Sequence, residues 1–206
     1  MTLFAFLDLE TTGLSPDDDH ILEIAWLLTD SKLETLTPLR YHISEHSKEE
    51  WKDIWCQLQA NEPVRHMHQE SGLLNAIRSH KALSSPLSAS ALQFRADVEG
   101  AWRRLGDYDG TKHSVHLAGL SIGFDRDFLK KDPTWGLFFD NDVLGVSLHH
   151  RLLDLSSLKM FLTARGVPWD KAVNSRPHRA SSDVLETLAQ ARSFWELLTP
   201  LAEEEN

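Results

Sequence analysis

Two carboxylates stand at the end of an apolar run near the start of the chain. Asp8 and Glu10 follow the residues FAFL, a run that is typical of a buried strand. Side chains alternate between the faces of a strand, so positions 8 and 10 point to the same side, about 7 Å apart. Neighbouring carboxylates in an apolar setting are costly unless a cation or a shared proton compensates them. For an isolated Asp-x-Glu, a strand end that meets water is the better explanation, so the rest of the chain must decide.

Three further residues of suitable type lie in later segments. Asp125 is part of SIGFDRDFL, and His178 and Asp183 are the ends of HRASSD. Five helical steps turn about 140°, so His178 and Asp183 could not share one face of a regular helix. Pro177 and the serines instead place His178 on a loop and Asp183 in the first turn of the following helix. Asp183 would then be held rigidly by the helix, whereas His178 on the loop would be more mobile.

Taken in order, DLETTGL (8–14), SIGFDRDFL and HRASSD resemble the three motifs of the DEDDh 3′–5′ exonucleases, which include proofreading exonucleases, RNase T and oligoribonuclease. The resemblance implies that Asp8, Glu10, Asp125 and Asp183 bind metal and that His178 is the general base. Two ions roughly 3.5–4 Å apart can stabilise the attacking and leaving oxygens of a phosphodiester. Oxygen ligands suit Mg²⁺ or Mn²⁺ rather than Zn²⁺. An imidazole that titrates near neutrality suits proton removal from water.

The segment HHRLLDLSSLK (149–159) is similar to a stretch of oligoribonuclease of the type HYRxxDVSTxK. In that family, the Arg comes from the second subunit and, with the hydroxyls, caps the terminal 5′ phosphate of a very short substrate. The matching residues are Arg151, Ser156 and Ser157, together with Ser121 of the second motif. The resemblance therefore implies a homodimer. Alternatively, Arg151 pairs with a carboxylate and the serines cap the helix that follows.

The same resemblance implies further substrate contacts. HQESGL (68–73) matches the family pattern HxxSGL, which places His68 on the wall of the site, and Thr11 belongs to the first motif. Leu14 matches a side chain that wedges against a substrate base, although a leucine is by composition equally suited to the core. Arg176 and Arg179 flank the predicted base and are candidates for attracting the substrate.

Several positions differ from the oligoribonuclease pattern. His150 replaces a Tyr, and Leu120 and Phe124 replace polar residues. The family has a base-stacking Trp shortly before the HxxSGL segment, where this chain has none. Trp51 and Trp55 lie further upstream, and either could substitute for it in space. These differences keep a broader substrate range open.

The composition of the chain limits the classes of protein to which it can belong. The chain has 206 residues and a formal net charge of −10, which argues against coating nucleic acid by bulk electrostatics but not against an enzyme that uses bound cations. Cys56 is the only cysteine, so an internal disulfide is excluded and a reducing compartment is favoured. No apolar run reaches the roughly 18–20 residues of a membrane span, and no signal peptide is recognisable. The sequence predicts a cytoplasmic protein without a membrane segment.

The elements that must position these residues follow from periodicity. Strands are predicted at 3–9, 21–29, 39–44, 114–120 and 152–155. Helices are predicted at 48–77, 91–105, near Asp125, up to Thr163, and at 182–198. The apolar face of the last helix is predicted to comprise Val184, Leu185, Leu188, Ala191, Trp195 and Leu198. We expect an α/β protein of RNase H-like fold, with a five-stranded mixed sheet and helices on both faces. Residues 1–200 are expected to form one exonuclease domain, followed by an acidic tail at 201–206.

The predicted function is a Mg²⁺- or Mn²⁺-dependent 3′–5′ exonuclease that releases nucleoside 5′-monophosphates from short single-stranded RNA by a two-metal mechanism. One alternative is a broader exonuclease for single-stranded DNA or RNA, of the RNase T or proofreading kind. The other is an inactive relative that binds nucleic acid or a protein. Because all five catalytic positions are filled, the inactive relative is disfavoured.

Overall fold

A mixed sheet of six strands, five of them in one continuous order, organises the chain, and its central strand carries the first two carboxylates. The computed structural model describes residues 2–79, 85–106, 113–139, 145–167 and 178–203, without the side chains of 113 and 198–203. The strand order is β3-β2-β1-β4-β5, and a two-residue strand, β6, also pairs with β4. The strands are β1 (Phe4–Thr11), β2 (Ile21–Thr29), β3 (Arg40–Ile43), β4 (His113–Gly119), β5 (Val146–Leu148) and β6 (Leu153–Asp154). β1, β2 and β3 are antiparallel neighbours, whereas β4 runs parallel to β1, and β5 and β6 run parallel to β4.

Helices cover both faces of this sheet, as expected for the RNase H-like fold. They are α1 (Lys48–Ala60), α2 (Glu62–Glu70), α3 (Leu73–Ser79), α4 (Leu87–Arg104), α5 (Gly123–Lys131), α6 (Leu155–Ala164) and α7 (Ala180–Glu203), with a 3₁₀ turn at Trp135–Phe138. α4, α5 and the 3₁₀ turn pack on the face that includes Trp26, and α6 and α7 pack on the face that includes Phe6 and Ala25. Covered on both sides, β2 is buried at all nine positions, which explains why its sequence is apolar except at Glu23 and Thr29.

The segment predicted to be helical over 48–77 is divided into three helices. α1 starts at a capping box in which Ser47 and Glu50 exchange hydrogen bonds. It ends at Asn61, just before Pro63, which has no backbone N–H to continue the hydrogen-bond ladder. Gly72 has φ +75° and separates α2 from α3. The turns put His68 of α2 against the end of β1.

The structure differs from the sequence prediction at two further places. β5 was not predicted, since three residues are too few to show a periodicity. On α7, Phe194 is buried where Trp195 was expected, while Leu185 and Trp195 are half exposed. The side chain of Leu198 lies outside the described residues. The division into a domain at 1–200 and a tail stays a prediction; α7 itself continues to Glu203.

Candidate active site

Three carboxylates converge where the end of β1 meets the start of α7. One oxygen each of Asp8, Glu10 and Asp183 lies within 4.8 Å of the others. Asp8 and Glu10 share the alternation of Phe6, so they face α7, and Asp183 lies in the first turn of that helix. The sequence predicted this convergence of a strand and a late helix, and the geometry matches it.

Asp125, on α5, is hydrogen-bonded to the backbone of the same strand. It lies in the first turn of α5, is 4% exposed, and its Oδ1 accepts a hydrogen bond of 2.9 Å from the backbone N–H of Leu9. This bond ties the carboxylate to the strand between Asp8 and Glu10. Asp125 is not one of the three mutually close carboxylates, but its charge raises the pKa of Asp8.

The carboxylates of the site are buried close together, so a bound cation would stabilise their ionised forms. Burial raises the pKa of Glu10 to about 8, and the charges of Asp183 and Glu23 add to the effect. Burial also raises the pKa of Asp125 to about 7 and that of Asp183 to about 6. The pKa of Asp8 is raised well above its usual range, first by burial and then by its acidic neighbours. A set of hard oxygen donors that repel one another in this way fits a divalent cation.

His178 occupies the loop position that the sequence predicted. Its Nδ1 lies 3.7 Å from Oδ2 of Asp183, and its side chain is 67% exposed. α7 begins at Ala180, so the imidazole lies outside the helix while the carboxylate is inside it. The arrangement leaves a ring nitrogen beside the carboxylate cluster and open to solvent.

A buried carboxylate beside the site that the sequence reasoning missed is Glu23 of β2. It is fully buried and pairs in register with Glu10 on the adjacent strand. Both its oxygens accept hydrogen bonds from the guanidinium of Arg179. Arg179 was predicted to attract substrate; it instead binds Glu23, while Arg176 lies outside the described residues. A glutamate inside the apolar run ILEIAWLLT was the signal that could have revealed Glu23.

His68 and Thr11 form one wall of the site. The imidazole is fully buried, and its Nε2 lies 2.8 Å from the carbonyl oxygen of Thr11. Its Nδ1 lies 3.6 Å from Oε2 of Glu10 and has no hydrogen-bond partner among the described residues. The hydroxyl of Thr11 donates to the carbonyl of Gly13, which shapes the turn after β1. At the rim of this turn, Leu14 is 81% exposed, so it is not a core residue.

Two of the predicted cap residues are in contact. The hydroxyl oxygens of Ser121 and Ser156 lie 3.1 Å apart, and the N–H of Ser121 donates to the Ser156 hydroxyl at 2.9 Å. Ser121 has φ +53°, a conformation that is uncommon outside glycine. Asp154, not a serine, caps α6 by accepting from the N–H of Ser156 at 2.8 Å. The helix-capping alternative therefore does not account for the serine side chains.

The two remaining cap residues, Arg151 and Ser157, have exposed side chains. Within the part of the chain that the structure describes, Arg151 forms no ion pair, so the predicted alternative of an Arg151–carboxylate pair is not observed there. Neither side chain contacts Ser121 or Ser156 among the described hydrogen bonds. Of the four predicted cap residues, Ser121 and Ser156 are thus in contact within one chain.

Trp51 and Trp55 stack on each other, with ring centroids 6.2 Å apart. The guanidinium of Arg78 covers the ring of Trp55 at 5.0 Å, and His46 packs edge-on against Trp51. Both tryptophans pack beside the cluster of α1 to α3. None of these described ring contacts involves a residue of the carboxylate site.

The sheet order and the carboxylates at the end of β1 define a nuclease of the RNase H-like fold. Solved structures share this fold: exonuclease I of E. coli, in complex with a dT13 oligonucleotide, matches 99% of this chain with a TM-score of 0.59 at 15% identity. Exonuclease I of Methylocaldum szegediense matches 93% with a TM-score of 0.56, also at 15% identity. The chain spans only 43% and 40% of those two proteins.

Sequence comparison narrows the class. Oligoribonuclease of Pseudomonas syringae pv. syringae is 32% identical over 195 residues, which cover 93% of each protein. Oligoribonuclease of Streptomyces avermitilis is 30% identical over 199 residues, covering 94% of this chain and 85% of the relative. No family model matches the chain. On the strength of these relatives, the chain belongs to the oligoribonuclease family.

No helix in the described parts of the chain combines the length and the hydropathy that crossing a membrane requires.

Proposed function

We propose that this chain is a metal-dependent 3′–5′ exonuclease that hydrolyses short single-stranded oligoribonucleotides to nucleoside 5′-monophosphates. The observation that carries the proposal is the convergence of Asp8, Glu10 and Asp183 within 4.8 Å, with Asp125 bonded to the same strand. Family membership gives the reaction class, and this constellation supplies residues suited to it.

The four carboxylates are the proposed ligands of Mg²⁺ or Mn²⁺. Their oxygens are hard donors, and burial raises the pKa values of Glu10, Asp125 and Asp183, an effect that a bound divalent cation would offset. Two divalent ions would offset the four negative charges of the ionised ligands. When bound, such ions activate water and stabilise charge on the attacking and leaving oxygens of the phosphodiester.

His178 is the proposed general base. Its exposed imidazole can take a proton from a water molecule that attacks the terminal phosphodiester, and bulk water can then accept that proton. Asp183 lies 3.7 Å from Nδ1 of the ring, so the base stands directly beside a proposed metal ligand. The loop position lets the proton leave without crossing the carboxylate cluster.

Substrate length is the second part of the proposal. The Ser121–Ser156 pair offers hydroxyl groups to a terminal 5′ phosphate, and Leu14 offers an exposed apolar side chain to a base. Thr11 and His68 complete the wall next to Glu10, where the hydrogen bond between Nε2 of His68 and the Thr11 carbonyl holds the end of β1 in place. A net charge of −10, reduced to about −6 by two divalent cations, disfavours long polyanions.

We further propose that Arg151 and Ser157 complete the cap in a homodimer, with Arg151 reaching the partner's site. The exposed side chain of Arg151, which forms no ion pair with any described residue, is compatible with that role. A lone, exposed Cys56 supports a reducing compartment such as the cytoplasm.

A broader exonuclease for single-stranded DNA or RNA is the second candidate. It is favoured by the positions that differ from the family pattern, His150 above all, and by a fold neighbour that was solved with a dT13 oligonucleotide. Turnover of a 5′-phosphorylated RNA dinucleotide, an RNA 20-mer and a DNA 20-mer, each with Mn²⁺, separates the two. We expect the dinucleotide to be hydrolysed fastest; faster attack on either 20-mer would contradict the cap.

The site itself is tested with two neighbouring residues of α5. We expect Asp125→Asn to abolish hydrolysis, because it removes a charge from the buried cluster. Asp127→Asn is the matched control, since Asp127 is exposed and pairs with Arg126. Full activity of Asp125→Asn would exclude Asp125 as a metal ligand.

A further inference from the structure

The ion pair between Glu23 and Arg179 joins the middle of the sheet to the start of α7. Nε of Arg179 lies 3.0 Å from Oε2 of Glu23, and Nη2 contacts Oε1, so the guanidinium is bidentate. The backbone N–H of Ala180 donates to the same carboxylate at 3.1 Å. Glu23 is fully buried, and the side chain of Arg179 is 23% exposed. Three bonds thus fix the first residue of α7 and the residue before it to one side chain of β2.

Stability alone is a weak reason for this arrangement. Taking two charges out of water is expensive, and replacing a buried ion pair with apolar residues of similar volume is often neutral or stabilising. The pair also stands in a strand whose other positions are nearly all apolar. Its position relative to the catalytic groups suggests what it contributes.

The ion pair lies next to the proposed catalytic residues of both β1 and α7. Glu23 is in register with Glu10, and Arg179 directly follows His178. Ala180 opens the helix whose first turn carries Asp183. The first N–H groups of a helix have no partner within the helix, and a negative charge there is favourable. By accepting a hydrogen bond from the N–H of Ala180, Glu23 fixes the start of α7 next to the carboxylates of β1.

Arg179 has a second effect on the same carboxylate. Both oxygens of Glu23 are engaged by the guanidinium, and one of them also by the N–H of Ala180, which makes them less available to a cation bound by Glu10 on the adjacent strand. Without Arg179, the buried charge of Glu23 would add to a site that already carries four carboxylates, and its oxygens would be free to compete for the cation.

We propose that Glu23 and Arg179 are positioning residues for the hydrolytic reaction: their ion pair sets the distance from His178 and Asp183 to the β1 carboxylates and keeps Glu23 out of the metal site. This inference rests on the proposed function. Neither side chain contacts the reacting atoms; both act through the start of α7.

The chain contains a matched control. Arg40 makes an equally bidentate pair with the buried Asp97, with two bonds of 3.1 Å. Arg40 lies on β3 and Asp97 on α4, which packs on the opposite face of the sheet from α7. Arg179→Lys and Arg40→Lys each keep the charge and lose the planar fork, so they remove the same kind of interaction at two different places.

The experiment compares these variants and Glu23→Gln with the wild type, in the full chain with Mn²⁺. We expect Arg179→Lys and Glu23→Gln to lower kcat on a 5′-phosphorylated dinucleotide by roughly 10- to 100-fold while KM stays within about twofold, because misplacement affects the chemical step more than binding. Arg40→Lys should lower the melting temperature without changing kcat at temperatures where it is folded. Glu23→Gln provides the second route should Arg179→Lys fail to fold.

Amide hydrogen exchange supplies a readout independent of activity. We expect the amides of residues 180–183 to exchange about tenfold faster in Arg179→Lys than in the wild type, and at wild-type rates in Arg40→Lys. An active wild type whose Arg179→Lys variant keeps full kcat, or wild-type exchange at 180–183, would overturn the positioning role alone. A wild type that hydrolyses no oligonucleotide with Mn²⁺ or Mg²⁺ would overturn the proposed function, and the positioning role with it.

Discussion

Nδ1 of His178 and Oδ2 of Asp183 lie 3.7 Å apart although the two residues are five positions apart in the chain. They meet because α7 begins between them, at Ala180, and leaves the imidazole on the loop side of the first turn. A continuous helix would turn the two side chains about 140° from each other. The start of α7 therefore determines whether a base can stand next to the carboxylate cluster.

The first prediction is that His178→Ala lowers kcat by roughly 10²- to 10⁴-fold, the usual contribution of a general base. His178 is not a proposed metal ligand, so stabilisation of the folded protein by Mn²⁺ should persist. Steady-state kinetics and thermal unfolding with and without Mn²⁺ measure the two effects.

His66→Ala is the matched control for this variant. His66 is 68% exposed and lies 3.3 Å from Glu70, so it resembles the His178–Asp183 pair but is remote from the reaction in the proposed mechanism. An equal loss of kcat in both variants would show that the imidazole at 178 has no special role.

The second prediction concerns pH and metal. Glu10, Asp125 and Asp183 have pKa values raised to about 8, 7 and 6, so the folded metal-free protein holds protons that the unfolded chain releases. A raised pKa contributes stability that is complete below the unfolded value, near 4, and is lost as the pH rises through the folded value. The melting temperature of the metal-free protein should therefore fall between pH 6 and 8.

Divalent cations should reverse this loss, because they replace the missing protons. At 100-fold excess over its Kd, a ligand of the folded state adds about 2.7 kcal/mol. For a chain of this size that corresponds to a rise in melting temperature of roughly 5–10 °C. We expect the rise with Mn²⁺ to be larger at pH 8 than at pH 5.5, and Glu10→Gln to reduce the pH dependence. A metal-free protein that gains stability from pH 6 to 8, with Glu10→Gln unchanged, would contradict the cluster electrostatics.

The third prediction separates binding from packing at Leu14, which is 81% exposed. Leu14→Ala should leave the free energy of unfolding within about 0.5 kcal/mol of the wild type, as for other exposed positions. KM for a dinucleotide should rise about tenfold if the side chain packs against a base, since burying a leucine side chain contributes about 1.5–3 kcal/mol.

Leu9 serves as the packing control for Leu14. It is buried in the main core, so Leu9→Ala should cost about 2–5 kcal/mol. Chemical denaturation and steady-state kinetics of both variants are the measurements. A strongly destabilised Leu14→Ala would assign Leu14 to the core after all.

Much of the fold follows from local patterns in the sequence. The strand Ile21–Thr29 has the predicted bounds because a run that is apolar at nearly every position marks a strand covered on both faces. The bounds of α1, α2 and α3 were not predicted, since one amphipathic periodicity runs through all three and only Pro63 and Gly72 interrupt it. β5 owes its place to pairing with β4, which no local pattern reveals.

The candidate site shows the same division. Asp8 and Glu10 could be placed on one face because strand alternation is local, and Asp125, His178 and Asp183 because their motifs appear in order. The partner of Arg179 could not be foreseen, since 156 residues separate it from Glu23. Because Arg179 is positively charged and adjacent to the predicted base, the sequence favours a role in substrate binding. Only the tertiary structure shows that its guanidinium is bound by the buried carboxylate of Glu23.

The fourth prediction tests the phosphate cap at Ser156. Its hydroxyl accepts the N–H of Ser121 and lies 3.1 Å from the Ser121 hydroxyl. Two hydroxyl groups carry two protons, and at most one is used between them, so at least one can be donated to a phosphate oxygen. A hydrogen bond to a charged group contributes about 1.5–3 kcal/mol, which corresponds to roughly 10- to 150-fold in affinity.

Ser156→Ala should therefore weaken the preference for a 5′-phosphorylated dinucleotide over one with a free 5′ hydroxyl by at least about tenfold. The fold should tolerate the change, because the N–H of Ser121 also donates to Oδ1 of Asp154, at 3.1 Å. The unphosphorylated dinucleotide is the internal control, since it has no phosphate for the hydroxyl to contact. Equal losses on the two substrates would assign Ser156 to holding the backbone at Ser121, and the short-substrate preference would then need another origin.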